Sequence, residues 1–270
     1  MIDSTSTQVI VDSLINTKPA SSSDWILHHV MDGDYLDFSP FFKIYLPHFE
    51  LFGLDLSITR HVLFMWLGSI LLFIVMTRVA KAYKSSMVPK GFTNFWELFI
   101  VFVRDEIAKP TIGKGFEKFL PYLLTAFFFI LFGNFLGLIP FSATFTSNIA
   151  VTATMAIFSF IVTEFGGMRS NGVFGYFKGL IPHGVPVLLL PIMIVVEFLG
   201  LLTKPFALAI RLFANMTAGH IVVYALISLI FVMQNVAWAG LAVPMALFIY
   251  SLEILVALLQ AYIFTILSGL

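Results

Sequence analysis

The sequence predicts an all-α, polytopic membrane protein with about five membrane helices, of which the last two are long and tilted, and one amphipathic interfacial helix. Hydrophobic residues make up 59% of the 270 residues and charged residues only 11%, with a mean hydropathy of +0.98. Because soluble domains carry about 25% charged residues, this chain has too few charges to cover a water-exposed surface. Its apolar runs reach roughly 20 residues, the length of a helix that crosses a bilayer.

Residues 1–58 are predicted to form an N-terminal tail and interfacial segment, followed by a membrane domain at residues 59–270. Residues 1–24 are polar and lack the basic start and apolar core of a secretory signal, which favours a loosely ordered tail. Residues 25–58 mix aromatic residues with Pro and Asp, which indicates contact with the membrane interface. Acidic residues outnumber basic ones up to Asp55.

The first membrane span is predicted at about residues 61–79, and basic residues cluster at its C-terminal end: Arg78, Lys81 and Lys84. By the positive-inside rule this end is cytoplasmic, which leaves the acidic N-terminal tail outside. Residues 92–108 are predicted to form an amphipathic helix on the cytoplasmic surface, with Trp96 at interface depth.

Two further spans continue the alternation of cytoplasmic and outer loops. The second is predicted at about residues 119–139 and is opened by Pro121. The loop at residues 140–148 carries no charge, as expected on the outside. The third span, at about residues 149–165, leads back to basic residues, beginning with Arg169, on the cytoplasmic side.

The last two helices are predicted at about residues 185–230 and 236–267, with a turn near residues 233–235. The first of them is far longer than the roughly 20 residues that a perpendicular span needs. It is therefore expected to be tilted or kinked, and Pro205 is the candidate kink site. Five spans place the C-terminus in the cytoplasm.

Arg211 lies deep inside the fourth predicted span. A charged side chain at the bilayer centre costs about 2.5–3.5 kcal/mol on insertion scales, and such residues face a cavity or a partner. A snorkelling or helix-pairing arginine is the alternative, but apolar residues extend far beyond Arg211. Asn215 lies on the same helical face, and Gly219 on that face would allow another helix to approach closely.

Two titratable residues are predicted to meet on one side of Arg211. Glu253 and Gln260 share a face of the last helix. If the last two helices are antiparallel and Gln260 faces Arg211, then His220 lies about 13.5 Å and Glu253 about 10.5 Å from that level, in the same direction. A histidine there is either a hydrogen-bonded interior residue or a proton carrier, since its pKa is ordinarily near 6.5.

Glu197 lies about 21 Å from Arg211 in the opposite, cytoplasmic direction. It is predicted either to mark an inner aqueous entrance or to be an ordinary interface carboxylate. Lys204 can extend along the helix toward the inner headgroups. The pattern indicates two aqueous routes on opposite sides of a fixed cation, which is typical of proton translocation.

Soluble enzyme chemistry finds no support in the sequence. The chain has no cysteine, and it lacks the H-E-x-x-H, G-x-S-x-G and P-loop motifs. The adjacent pair His28 and His29 is a poor metal clamp. We therefore expect no cofactor, no metal site and no nucleic-acid partner.

Four segments give the chain a family resemblance from about residue 60 to its end: KPFALAIRLFANMTAGH, GNFLGLIPF, SNIAVTATMA and LLQAYIFTIL. They resemble subunit a of the F-type ATP synthases, the stationary half of a proton channel. The resemblance implies roles for a set of residues: Arg211 as the essential arginine, Asn215 as its neighbouring amide, His220 and Glu253 in the outer half-channel, Gln260 in the last helix, Glu197 on the inner side, and Asn134 in the second span.

The chain departs from the family pattern at two places. Many bacterial members carry the carboxylate and the histidine of the outer pair in the opposite order. Acidic residues that some members place after Asn134 are Gly137 and Ser142 here, so Ser147 and Asn148 are the candidates for polar lining of the outer vestibule.

The resemblance also implies partners and a mechanism. It implies a c-subunit ring whose carboxylates turn past the two long helices, a b-subunit peripheral stalk, and a hetero-oligomeric complex in a bacterial inner membrane. The chain itself would be non-catalytic. The alternatives are a self-contained ion channel or secondary proton-coupled transporter, a membrane-bound enzyme, and a purely structural subunit. The residues leave open whether the ion is a proton or sodium.

Overall fold

The structure is a computed structural model that describes residues 33, 35–38, 42–47, 50–51, 54–55, 57–85, 91–139, 142, 144–172, 175–176 and 190–269. The tail predicted at residues 1–24 lies outside the described residues. So do residues 185–189, where the fourth span was expected to begin.

Two short antiparallel hairpins precede the helices. Strand β1 (Tyr35–Phe38) pairs with β2 (Phe42–Tyr45), and β3 (Glu50–Leu51) pairs with β4 (Leu54–Asp55). An interfacial segment was predicted here without strands, although aromatic and β-branched residues favour strands. The backbone N–H of Arg60 donates to the carbonyl of Gly33 at 3.0 Å, which ties this segment to the first helix.

The rest of the described chain is helical. The helices are α1 (Arg60–Ser85), α2 (Phe92–Phe102), α3 (Lys109–Ile112), α4 (Leu120–Gly137), α5 (Ile149–Asn171), α6 (Leu190–Val232) and α7 (Ala239–Gly269). Five of them (α1, α4, α5, α6 and α7) are long and apolar enough to cross a membrane. This confirms the predicted fold class and span number.

Helix α6 has 43 residues and runs without a break through Pro205. At 1.5 Å per residue it is about 65 Å long, roughly twice the thickness of the hydrocarbon core. It can therefore lie in a membrane only if it is strongly inclined or leaves the hydrocarbon region. The predicted turn after it is present, and Gln234 adopts a positive φ of 48° there.

Helix α4 lies at the centre of the bundle, between α1 and α7. Its buried side chains include Phe127, Ile130 and Leu131. Helix α2 packs on it through Trp96, whose ring stacks on Phe132 with centroids 5.4 Å apart. Trp96 was expected at interface depth, and the structure uses its ring as a packing surface between two helices.

A π-helical turn, Val103–Ala108, joins α2 to α3. Arg104 donates two hydrogen bonds to Asp105, at 3.0 and 2.8 Å, and Lys109 forms an ion pair with the same carboxylate. The hydrogen bonds from Arg104 and then Lys109 hold the pKa of Asp105 well below its usual range.

Candidate functional site

Arg211 lies midway along α6, and its side chain is exposed on the surface of the chain. Ala207, Ala214 and Ala218 are exposed on the same face. Among the described residues, no carboxylate forms an ion pair with its guanidinium. The guanidinium therefore projects from a face of small side chains, where the backbone of another helix could come close.

Asn215 and Gln260 link α6 to α7 one helical turn beyond Arg211. The Asn215 side-chain amide donates to Gln260 Oε1 at 3.1 Å, and Gln260 is buried at 3% exposure. Gln260 was supposed to face Arg211, and its hydrogen-bond partner in the structure is instead the side-chain amide of Asn215, the next polar residue on that face of α6.

His220 and Glu253 lie together on the Val232 side of Arg211, as the helical spacing predicted. His220 Nδ1 is 3.9 Å from Glu253 Oε1. The other ring nitrogen, Nε2, lies 2.8 Å from Thr144 Oγ1. Glu253 is 6% exposed, and neither of its carboxyl oxygens accepts a hydrogen bond from the described residues. The imidazole thus touches a hydroxyl on one side and faces a carboxyl group on the other.

Gly219 is what allows Glu253 to reach His220. A Cβ atom on Gly219 would lie only 2.0 Å from Glu253 Oε1, so the carboxyl group would have to move. The close approach predicted for this glycine is therefore present. The group that approaches it is the carboxyl group of Glu253 on α7.

Asn134 is fully buried and fixes the loop between α4 and α5 against α7. Its side-chain amide donates to the carbonyl of Ala257 at 3.3 Å, and its Oδ1 accepts from Thr146 Oγ1 at 2.7 Å. Ser147 Oγ donates to the carbonyl of Thr144 at 2.7 Å, and Asn148 caps α5 by accepting from Ala150 N at 2.9 Å. These polar residues hold the loop that carries Thr144 over His220.

Sequence reasoning missed three members of this cluster. Thr144 contacts His220 and also packs directly on Gly137, where some relatives were expected to carry an acid. Tyr224 lies within electrostatic range of both Arg60 and Glu253. Tyr224 follows His220 by four residues, so a search along that helical face could have found it. Arg60, at the start of α1, carries no sequence signal that links it to α6.

A cavity of about 350 Å³ opens on the opposite side of Arg211, toward the Leu190 end of α6. Its polar lining includes Arg211, Lys204, Glu164, Tyr176 and Thr163. Glu197, the carboxylate predicted for this side, is half-buried and does not line the cavity. Glu164 was not singled out from the sequence, because a single glutamate near the end of a span is typical of an interface position.

The described residues contain no group of three or more metal-ligating side chains. What they do contain is a line of polar and titratable groups that approaches Arg211 from two directions. His220, Glu253 and Thr144 lie on one side, and the cavity with Glu164 lies on the other. This arrangement suits the transfer of an ion between two sides of a membrane.

Comparison with known proteins identifies the family. The family model described as ATP synthase A chain matches residues 62–270. ATP synthase subunit a of Chloroherpeton thalassium is 52% identical over 247 residues, which cover 90% of this chain and 74% of the relative. ATP synthase subunit a 2 of Chlorobaculum tepidum is 47% identical over 251 residues, covering 92% and 71%. ATP synthase subunit a of an Anaeromyxobacter species is 54% identical over 226 residues, covering 82% and 55%.

The matched region contains all five membrane-spanning helices apart from the first residues of α1, and it contains Arg211, His220, Glu253 and Glu164. It also agrees with the extent of the resemblance read from the sequence motifs. The chain therefore belongs to the ATP synthase A chain family.

Proposed function

We propose that this chain is the stationary, proton-conducting subunit of a rotary ATP synthase, with Arg211 as a fixed charge between two aqueous half-channels. Its partners are then a ring of c subunits, each with one carboxylate, and a b-subunit peripheral stalk. The N-terminus lies outside and the C-terminus in the cytoplasm of a bacterial inner membrane, in keeping with the basic residues at the end of α1.

One observation carries this proposal: Arg211 is exposed midway along the apolar helix α6 without an acidic partner among the described residues. Charged side chains within a membrane pair with one another or face water. The small side chains of the alanines around Arg211 leave room for another helix, so a carboxylate on that helix can reach the guanidinium. A carboxylate on a moving ring satisfies the arginine without locking it permanently.

The outer route follows from the contacts of His220. A proton from outer water is taken up by the His220–Glu253 pair, whose reacting atoms Nδ1 and Oε1 are 3.9 Å apart. The carboxyl group of Glu253 is not held by any hydrogen bond of the described residues, so it is free to exchange the proton. Thr144 fixes the orientation of the imidazole through Nε2. The pair then protonates a ring carboxylate.

Arg211 separates the two routes. Its positive charge attracts an ionised ring carboxylate and repels a proton that would otherwise pass directly between the half-channels. A ring carboxylate that has been neutralised can move away into lipid. Each elementary charge that crosses the membrane gains about 2.3 kcal/mol per 100 mV, so several protons are needed for each ATP formed elsewhere in the complex.

Cross-linking tests the proposed ring contact. The chain has no cysteine of its own, so Ala214→Cys can carry a photoactivatable maleimide in native membranes. We expect a cross-link to the c subunit, because Ala214 is exposed on the Arg211 face. Phe73→Cys is the matched control, since Phe73 is 71% exposed but lies on α1. Equal cross-linking at the two positions, or none at Ala214→Cys, would contradict the proposal.

Replacing Gly219 by alanine should disable the outer route. The added methyl group must displace Glu253, because the Cβ would lie 2.0 Å from Oε1. We expect proton-driven ATP synthesis in reconstituted vesicles to fall by roughly ten- to hundredfold, as misplacement of a reacting group by about 1 Å can cost.

Gly200→Ala is the control for that experiment. Gly200 lies in the same helix, and nothing lies within 4 Å of the position of its Cβ. Its replacement should leave ATP synthesis unchanged. If both variants are equally active, the close approach at Gly219 has no role in the route.

A further inference from the structure

The cavity beside Arg211 has features that the proposed outer route does not use. Its wall follows α6 from Arg211 back to Leu201, ten residues or about 15 Å along the helix axis. Two cations, Arg211 and Lys204, belong to this wall. Glu164 on α5 is the one carboxylate among the described residues that line it.

Tyr176 lies next to Glu164 in this wall. Burial, together with the interaction of its hydroxyl with the Glu164 carboxylate, raises the pKa of Tyr176 to about 12. The tyrosine therefore remains a proton donor at physiological pH. Gly167 makes room for its ring, since a Cβ there would lie 2.6 Å from Tyr176 Cε2.

A second cavity, of about 460 Å³, adjoins the first. Tyr176 and Thr163 line both cavities. The charged residues among the described lining of the second cavity are all basic: Lys114, Lys118 and Arg169. Thr163 and Tyr176 thus lie where a space next to Arg211 meets a space at the basic surface, and Glu164 lies beside them in the wall of the first space.

We propose that Glu164 is the proton-exchanging carboxylate of the inner half-channel, with Tyr176 as its positioning residue. This inference rests on the proposed function. It differs from the sequence-based assignment of the inner route to Glu197, which lies about 21 Å from Arg211 along α6 and outside the lining of this cavity.

The proton balance of the step is simple. A protonated ring carboxyl group that faces the cavity gives its proton to the Glu164 carboxylate, which becomes a neutral carboxylic acid. The ionised ring carboxylate is then attracted by Arg211. Glu164 releases the proton to water, which reaches the second cavity past Thr163 and Tyr176, and regains its negative charge. The reverse order serves proton pumping.

Proton flux through the assembled complex tests this role. We expect Glu164→Gln to lower both passive proton flux and proton-driven ATP synthesis by about tenfold or more, because an amide cannot exchange a proton. Glu164→Asp should restore much of the flux, since it keeps the carboxylate. Tyr176→Phe should have a smaller effect than Glu164→Gln, because it removes only the hydroxyl beside the carboxylate and leaves the proton-exchanging group in place.

Two controls make the result specific. Glu117→Gln removes an exposed carboxylate that does not line either cavity and should leave proton flux unchanged. Glu197→Gln tests the competing assignment. Normal flux in Glu164→Gln with strongly reduced flux in Glu197→Gln would overturn the inference. Normal ATP synthesis in Arg211→Ala, by contrast, would refute the proposed function itself.

Cysteine labelling tests the inference even if the complex with the Glu164→Gln variant does not assemble. Thr163→Cys, at the junction of the two cavities, should react with a membrane-impermeant maleimide from the inner side only. Reaction from the outer side, or no reaction from either side, would contradict an inner route through Glu164.

Discussion

Replacing Arg211 by alanine is expected to reduce proton-driven ATP synthesis to the level of vesicles without the complex. The variant loses the charge that attracts an ionised ring carboxylate and that prevents protons from passing directly between the half-channels. Arg211→Lys keeps a charge but loses the planar guanidinium with its several donors, so we expect partial activity at most. The measurement is ATP synthesis driven by an imposed proton gradient.

Arg78→Ala is the matched control for Arg211. Arg78 is also an exposed arginine, but it lies at the end of α1, away from the α6–α7 face. Its replacement should leave ATP synthesis near the normal rate once the amount of assembled complex is taken into account. If the Arg211→Ala complex makes ATP at the same rate as Arg78→Ala, the central role of Arg211 is wrong.

The second large effect is expected from removing the pair His220 and Glu253. His220→Ala combined with Glu253→Ala should slow passive proton flux by about a hundredfold, at the lower end of the usual contribution of a positioned acid or base. The flux is measured as the decay of a pH gradient in vesicles whose soluble catalytic part has been removed.

The single variants show whether the two residues act as one unit. His220 Nδ1 and Glu253 Oε1 are 3.9 Å apart, so loss of either should interrupt the same relay. The double variant should then be hardly slower than the slower single one, because effects within a unit are not additive. If the effects of the two single substitutions on proton flux instead multiply in the double variant, the residues act in two separate paths. Unchanged flux in the double variant would remove the pair from the route.

The periodicity of the sequence was sufficient to predict the helices and one contact between them. Helix length and hydropathy define the spans without reference to other parts of the chain, because each span satisfies its own backbone hydrogen bonds. The meeting of His220 and Glu253 was also predictable, because two adjacent antiparallel helices share a constant rise per residue. The N-terminal hairpins were not predicted, since short strands depend on their pairing partner.

Contacts with loops and with non-adjacent helices could not be read from the sequence. Thr144 reaches His220 from a loop whose path is set by the buried hydrogen bonds of Asn134. The hydrogen bond that joins Asn215 to Gln260 was not predicted, because the reach of each side chain decides which of two residues on one helical face becomes the partner.

What the sequence alone determined is the class of protein, the number of spans and the presence of one arginine in an apolar helix. Tertiary structure decided what surrounds that arginine: an exposed face of alanines, the Thr144 hydroxyl that contacts His220, and a cavity with Glu164. The reason is physical. Hydropathy reports where each helix lies relative to lipid, whereas the rotation and crossing of helices depend on packing between side chains far apart in the chain.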